Sequence, residues 1–135
     1  MHILQAMETT HNQRTKVFLV EDSPAIRVRL AAMLSEIPGV DVVGEAETAG
    51  AAIDGILRTR PDSVVLDVQL IGSSGIDVLR KLRPLDPATV FIVLTNSPDA
   101  RYRKLYLDAG ANYFLDKTTE FEKAIGLVAA LGTTH

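Results

Sequence analysis

No cysteine occurs in this 135-residue chain, which excludes disulfides and thiolate metal sites and suits a reducing compartment. Aromatic residues are sparse at 5%, within an apolar content of 47% that suits an ordinary soluble protein. Long hydrophobic runs are missing as well. No segment approaches the roughly 20 apolar residues of a membrane helix, and Met1 to Thr15 lacks the apolar stretch of a signal peptide. A cytoplasmic protein without membrane insertion is therefore expected. Positive charge is not in surplus. The net charge of −3 argues against direct nucleic-acid binding, which usually needs a basic patch. The histidines, His2, His11 and His135, are scattered and make no metal site.

What is present is a strand-then-helix alternation, five times over, in a length that fits one domain with one core. Lys16 to Asp22 reads as a buried strand. Ser23 offers an N-cap, Pro24 suits the first helical position, and Ile26, Leu30, Met33, Leu34 and Ile37 follow at helical spacing. Pro38-Gly39 stops that helix. Val40 to Ala46 is a second strand, and Ala49, Ala52, Ile53, Ile56 and Leu57 mark a second helix closed before Pro61. Ser63 to Asp67 is the third strand, and Gln69 to Ser74 a polar, glycine-bearing loop. Ile76, Leu79 and Leu82 give a third helix, ended by Pro84 and Pro87. Thr89 to Thr95 is the fourth strand, Pro98 to Ala109 the fourth helix with Gly110 as its stop, and Ala111 to Leu115 the fifth strand. Phe121, Ala124, Ile125 and Val128 form the last helix.

The first, third and fourth strands are continuous apolar runs, as expected for strands covered on both faces. Right-handed crossovers then give an α/β, doubly wound parallel sheet with helices on both sides. The common five-strand order is 2-1-3-4-5, whose switch point lies between strands 1 and 3, with ligands bound outside the carboxyl ends. Asp22 and Asp67 fall there.

Four of the runs end on polar groups that suit one reaction: Glu21-Asp22, Asp67, Thr95 and Lys117. Adjacent strands lie about 4.8 Å apart, and two carboxylates about 5 Å apart repel by about 3 kcal/mol at an effective dielectric near 20. Such a cluster binds a cation, takes up protons or weakens the fold. With no histidine or cysteine at hand, an all-oxygen site suits a hard cation, Mg²⁺ above others. The plainer alternative is that Glu21 and Asp22 cap the first helix, where its dipole favours acids. Asp67 is the candidate nucleophile, since carboxylates form acyl phosphates. Lys117 would pair with one phosphoryl oxygen and Thr95 would donate to another. The plainer readings are a loop-capping Asp67, a solvated Lys117 and a β-branched strand end at Thr95.

These residues resemble the receiver domain of two-component response regulators, of the chemotaxis-regulator type with the flavodoxin-like strand order. The acidic pair looks like Glu21 and Asp22, and the phosphoacceptor looks like Asp67 in PDSVVLDVQL. The threonine looks like Thr95 and the lysine like Lys117 in GANYFLDK. The resemblance implies a receiver domain over 15–131 between a flexible tail at 1–14 and a short tail at 132–135. It implies Mg²⁺ held by Glu21, Asp22, Asp67 and the backbone carbonyl of Gln69. The donor it implies is a phosphohistidine on a histidine kinase or phosphotransfer protein, and the aspartyl phosphate hydrolyses by itself. Three positions depart from the commonest pattern. Ile71-Gly72 stands where a proline is usual, Thr118 follows the lysine in place of proline, and the aromatic switch position is Phe114, without a hydroxyl. Gln69 and Ser97 sit where the family tunes hydrolysis.

Only seven residues follow Val128, so the expected output is through a protein partner. The resemblance implies that Thr95 moves inward on phosphorylation and Phe114 follows, altering the face made by helix 4, strand 5 and helix 5. Tyr102, Tyr106, Arg101, Arg103 and Lys104 are candidate contacts on helix 4, against the alternative that the tyrosines pack in the core. Beyond self-phosphorylation and autodephosphorylation no enzyme activity is expected. The alternatives are a receiver belonging to a longer regulator, a Mg²⁺-dependent phosphatase of the haloacid-dehalogenase type, and a nucleotide- or flavin-binding module. The phosphatase would need a D-x-D pattern on strand 1, and the last would need a glycine- or hydroxyl-rich first loop where EDSPAIR is acidic.

Overall fold

The structure, a computed structural model, describes residues 14–96 and 99–133. The tail expected over 1–14 lies outside it except for Arg14. His2, His11, Ser97, Pro98 and His135 also lie outside the described residues. Five strands alternate with five helices: β1 (Thr15–Val20), α1 (Pro24–Ser35), β2 (Val40–Ala46), α2 (Ala49–Thr59), β3 (Ser63–Asp67), α3 (Gly75–Leu82), β4 (Val90–Thr95), α4 (Ala100–Asp108), β5 (Tyr113–Asp116) and α5 (Phe121–Thr133). The strands are parallel in the order β2-β1-β3-β4-β5, the doubly wound sheet the sequence implies.

Alternation along each strand divides the core in two. Phe18, Val20, Val64, Leu66, Phe91 and Val93 face α2, α3 and α4, with Ile56, Leu79 and Tyr106 packed on them. Val17, Leu19, Val65, Ile92 and Leu94 face α1 and α5, meeting Leu30, Leu34 and Val128. Each such side chain contributes about 1.5–3 kcal/mol when fully buried. That accounts for unbroken apolar runs in β1, β3 and β4. A register shift between Val17 and Phe18 sets Gly44 opposite Phe18. A Cβ at Gly44 or Gly55 would lie 2.4 or 2.5 Å from the Phe18 ring, so the ring fills a slot only two glycines leave open.

Several element ends move from their expected places, each for a local reason. β1 stops at Val20, before the expected Asp22. Glu21 N–H still donates to Ala46 O, but the Ser23 N–H then turns onto the Glu21 side chain and α1 begins. The fourth helix starts at Ala100 instead of Pro98, because the Asp99 carboxylate accepts the Arg101 N–H and makes the N-cap. The fifth strand starts at Tyr113 instead of Ala111. The Ala111 amide closes the end of α4 on Tyr106 O, and Asn112 N–H goes to Phe91 O. Within the expected 69–74 loop, Gln69–Leu70 and Ser73–Ser74 pair as a small antiparallel hairpin turned by Gly72 at φ +65°. No cis peptide bond occurs among the described residues, Thr118 included. No helix among them is long and apolar enough to cross a membrane.

Candidate functional site

Residues far apart in sequence meet at the carboxyl edge of β1, β3, β4 and β5. Asp67 ends β3, Thr95 ends β4, Lys117 follows β5, and Glu21-Asp22 follow β1. Ligand oxygens of Glu21, Asp22 and Asp67 all lie within 4.8 Å of one another. The Lys117 Nζ stands 2.7 Å from Glu21 Oε1 and 3.1 Å from Asp67 Oδ2. Glu21, Asp67, Thr95 and Lys117 are all buried, and Asp22 is half-buried. The backbone ties β4 to the lysine directly, with Lys117 N–H donating to Thr95 O at 2.8 Å.

Asp22, Asp67, Gln69, Thr95 and Lys117 line one cavity of about 620 Å³. Its far side is apolar and aromatic, with Ile76, Tyr102, Leu105 and Tyr106. The two acids after β1 differ in role. Glu21 is in the cluster but not on the cavity wall, and both its oxygens already accept, Oε2 from Ser23 N–H and Oε1 from Lys117. Asp22 is the member of the pair that opens to a ligand. Neither acid caps α1. Ser23 Oγ does so, accepting from Ile26 N–H, as its place before Pro24 implies.

Burial first, then the Glu21 carboxylate, push the Asp67 carboxyl up to about 7. Burial also opposes ionisation of Asp22, but hydrogen bonds with Glu21 and Asp67 and the Lys117 charge outweigh it and hold Asp22 below the usual carboxylate range. Burial pulls Lys117 down, yet its pairing with Glu21 and Asp67 wins and keeps it above an ordinary lysine. Three acids facing one ammonium thus carry excess negative charge, relieved in part by a proton at Asp67. A hard divalent cation meets the same need. The donors are all oxygen, two of them on the cavity wall, and the residues present fit Mg²⁺.

The end of β3 depends on a close approach. A Cβ at Gly75 would lie 2.3 Å from the Asp67 backbone O and 3.2 Å from Leu66 Cγ. Gly75 N–H also donates to Val68 O at 2.8 Å, fastening the start of α3 to the segment after Asp67. Gly75→Ala is expected to lower stability by about 1–3 kcal/mol, read as a lower urea midpoint, because the strand end must move to admit the methyl.

One expectation about the aromatic residues needs revision. Tyr106 is not a surface contact on α4. It is 1% exposed, whereas Tyr102 is 45% exposed. Phe114 already points inward at 4% exposure, its ring 5.8 Å from that of Tyr106, and it does not line the cavity. Arg27, unmarked by any motif, donates from its guanidinium to Glu21 O at 2.8 Å and to Glu47 Oε1 at 2.7 Å. It ties the end of β1 to the loop after β2. Arg27 and Arg29 both stand on α1, and periodicity alone treats such cations as solvated.

A five-stranded doubly wound sheet with an acid cluster at its switch point defines a class of α/β modules that present carboxylates at the sheet's carboxyl edge. Within that class, this chain belongs to the response regulator receiver domain family, whose family model matches residues 17–129. It is 35% identical over 120 residues to a protein-glutamate methylesterase/protein-glutamine glutaminase of Syntrophotalea carbinolica, covering 88% of this chain and 34% of that protein. It is 30% identical over 118 residues to response regulator GacA of Pseudomonas syringae pv. syringae, covering 85% and 55%. The crystal structure of a LuxR-family two-component response regulator from Aurantimonas sp. SI85-9A1 superposes with a TM-score of 0.81 at 28% identity, covering 90% of this chain and 87% of that one. The chain spans from 23% to 55% of the length of such curated relatives. Receiver domains interact with histidine kinases and with downstream effectors.

Proposed function

We propose that this receiver domain accepts a phosphoryl group on Asp67 from a phosphohistidine of a histidine kinase or histidine phosphotransfer protein. The observation that carries this is a buried Asp67 carboxylate, 3.1 Å from the Lys117 ammonium, on the wall of a cavity that Asp22 and Thr95 share. An Asp67 carboxylate oxygen attacks phosphorus, the phosphorus–nitrogen bond breaks, and the electron pair leaves with the imidazole. Lys117 turns from Asp67 to a phosphoryl oxygen, and Thr95 donates to another. Asp22, Asp67 and the Gln69 carbonyl would hold Mg²⁺, with Glu21 supporting from behind through Lys117 and Ser23. When bound, Mg²⁺ offsets charge on the incoming phosphoryl oxygens.

The output is read by a protein through α4, β5 and α5, whose conformation follows Thr95 as it is drawn to the phosphoryl group. The domain's own reactions are its phosphorylation and dephosphorylation, inside a cytoplasmic pathway. Its −3 charge favours protein over nucleic acid as the direct contact. In curated relatives the matched segment is part of a longer chain, which supports a second reading in which the domain controls an effector joined to it.

A phosphotransfer profile tests the donor class. Labelled histidine kinases are expected to lose label to the wild-type domain and keep it with Asp67→Asn, and equal label on both proteins would move the acceptor elsewhere. Asp22→Ala is expected to weaken Mg²⁺ binding by about tenfold or more in calorimetry, since it removes a charged oxygen donor from the open side of the site. An unchanged titration would return Asp22 to a structural role.

A further inference from the structure

Val68 is the single residue between Asp67 and Gln69. Its carbonyl oxygen accepts twice, from Gly75 N–H at the start of α3 and from the Tyr106 hydroxyl of α4 at 3.4 Å. One carbonyl thus joins the start of α3, the α4 tyrosine and the segment after the acceptor. Tyr106 lines the cavity with Asp67, Gln69, Thr95 and Lys117, and its ring packs against Phe114. A phenylalanine would fill the same space without a polar group to satisfy. A buried hydroxyl is tolerated when it is hydrogen-bonded, so its presence points to a use for the bond itself.

We propose that Tyr106 is a positioning residue for the reaction at Asp67. Its hydroxyl fixes the peptide between Asp67 and Gln69, and so sets the Asp67 carboxylate and the Gln69 carbonyl toward the cation. This rests on the reading of Asp67 as the phosphoacceptor. The link runs both ways: a shift of the Val68 carbonyl when the site fills pulls on Tyr106 and reaches α4, part of the proposed output face.

Tyr106→Phe tests it, with Tyr113→Phe as control, since Tyr113 is exposed at the start of β5 and off the cavity wall. Calorimetry is expected to show Mg²⁺ binding weakened by about 3- to 10-fold in Tyr106→Phe, the loss of one hydrogen bond. The Mg²⁺ needed for half-maximal phosphoryl uptake from a small phosphodonor rises by the same factor, while the rate at saturating Mg²⁺ stays at the wild-type value. Tyr113→Phe matches wild type in both. A tyrosine with a merely structural role would lower the Tm without splitting affinity from rate. Wild-type Mg²⁺ affinity in Tyr106→Phe overturns the proposal.

A second measurement needs no Tyr106 variant. In protein labelled with 3-fluorotyrosine, the Tyr106 fluorine resonance is identified by elimination using Tyr102→Phe and Tyr113→Phe. It is expected to shift on Mg²⁺ addition with the calorimetric midpoint, and a stationary resonance overturns the proposal. Failure of the underlying reading looks different. Wild-type protein then gains no Asp67-dependent phosphoryl group, which overturns both.

Discussion

Without divalent cations, Asp67→Asn is expected to be more stable than wild type at pH 8 and nearly equal to it at pH 4. The reason is the displaced carboxyl. Burial and then Glu21 raise Asp67 to about 7 in the folded protein, from 3.8. A folded-state value above the unfolded one means stability that is full below about pH 4 and lost as pH rises through about 7. At pH 8 the folded protein holds an ionised Asp67 among acids, and the unfolded chain does not. Three units alone would be about 4 kcal/mol. Solvent screening at a site open to the cavity cuts this to about half, so roughly 2 kcal/mol or 6–8 °C in Tm is the expected gain at pH 8. Asparagine keeps the shape and removes the charge. Mg²⁺ is expected to close the gap by stabilising wild type more than the variant. Thermal melts of both proteins at the two pH values, with and without Mg²⁺, measure it. A variant no more stable than wild type at pH 8 would place the acid cluster's excess charge elsewhere.

Lys117→Met is expected to give the largest loss of stability among single changes at the site, about 3–5 kcal/mol at neutral pH, by leaving Glu21 and Asp67 buried without a cation. Lys117 contacts both, at 2.7 and 3.1 Å, with its side chain 6% exposed. The methionine chain fills the methylene space, so the loss reports charge more than packing. Two signs identify the cause. The loss shrinks at pH 5, where Asp67 takes up a proton. It also shrinks in the Asp67→Asn background, so the double-mutant cycle shows coupling. Urea denaturation at the two pH values measures both. An equal loss in every condition would make the lysine's role one of packing.

Much of the fold was legible because burial on both faces forces unbroken apolar runs, and β1, β3 and β4 show them. Ser23-Pro24 and Gly110 marked helix ends for reasons of capping and positive φ that hold here, Gly110 lying at φ +112°. Competition between neighbouring groups was not legible. Pro98 favoured an earlier start for α4, but the Asp99 side chain took the N-cap. The 69–74 hairpin has no apolar alternation to announce it. It is held by Gly72 and by Asp77, whose carboxylate accepts from Ser74 N–H.

The candidate site was legible as a set of strand-end groups and less so as a geometry. Glu21 and Asp22 both bring a carboxylate oxygen into the acid cluster, and of the two Asp22 lines the cavity. Tyr102 and Tyr106 stand four apart on α4, near the same face, and which one turns inward depends on how α4 docks against α3 and β5. Periodicity does not contain that, since α4 mixes exposed Leu105 with buried Tyr106. The sequence named Phe114 but not the side of the sheet edge on which it rests.

The most direct measurement is intact mass spectrometry of the protein after incubation with Mg²⁺ and a small phosphodonor. Wild type is expected to gain a single phosphoryl group that disappears when Mg²⁺ remains and donor is removed, and peptide mapping is expected to place it on Asp67. Asp67→Asn is expected to gain none. A wild-type protein that stays unmodified under saturating donor, or a variant that takes up the same mass, would contradict the account.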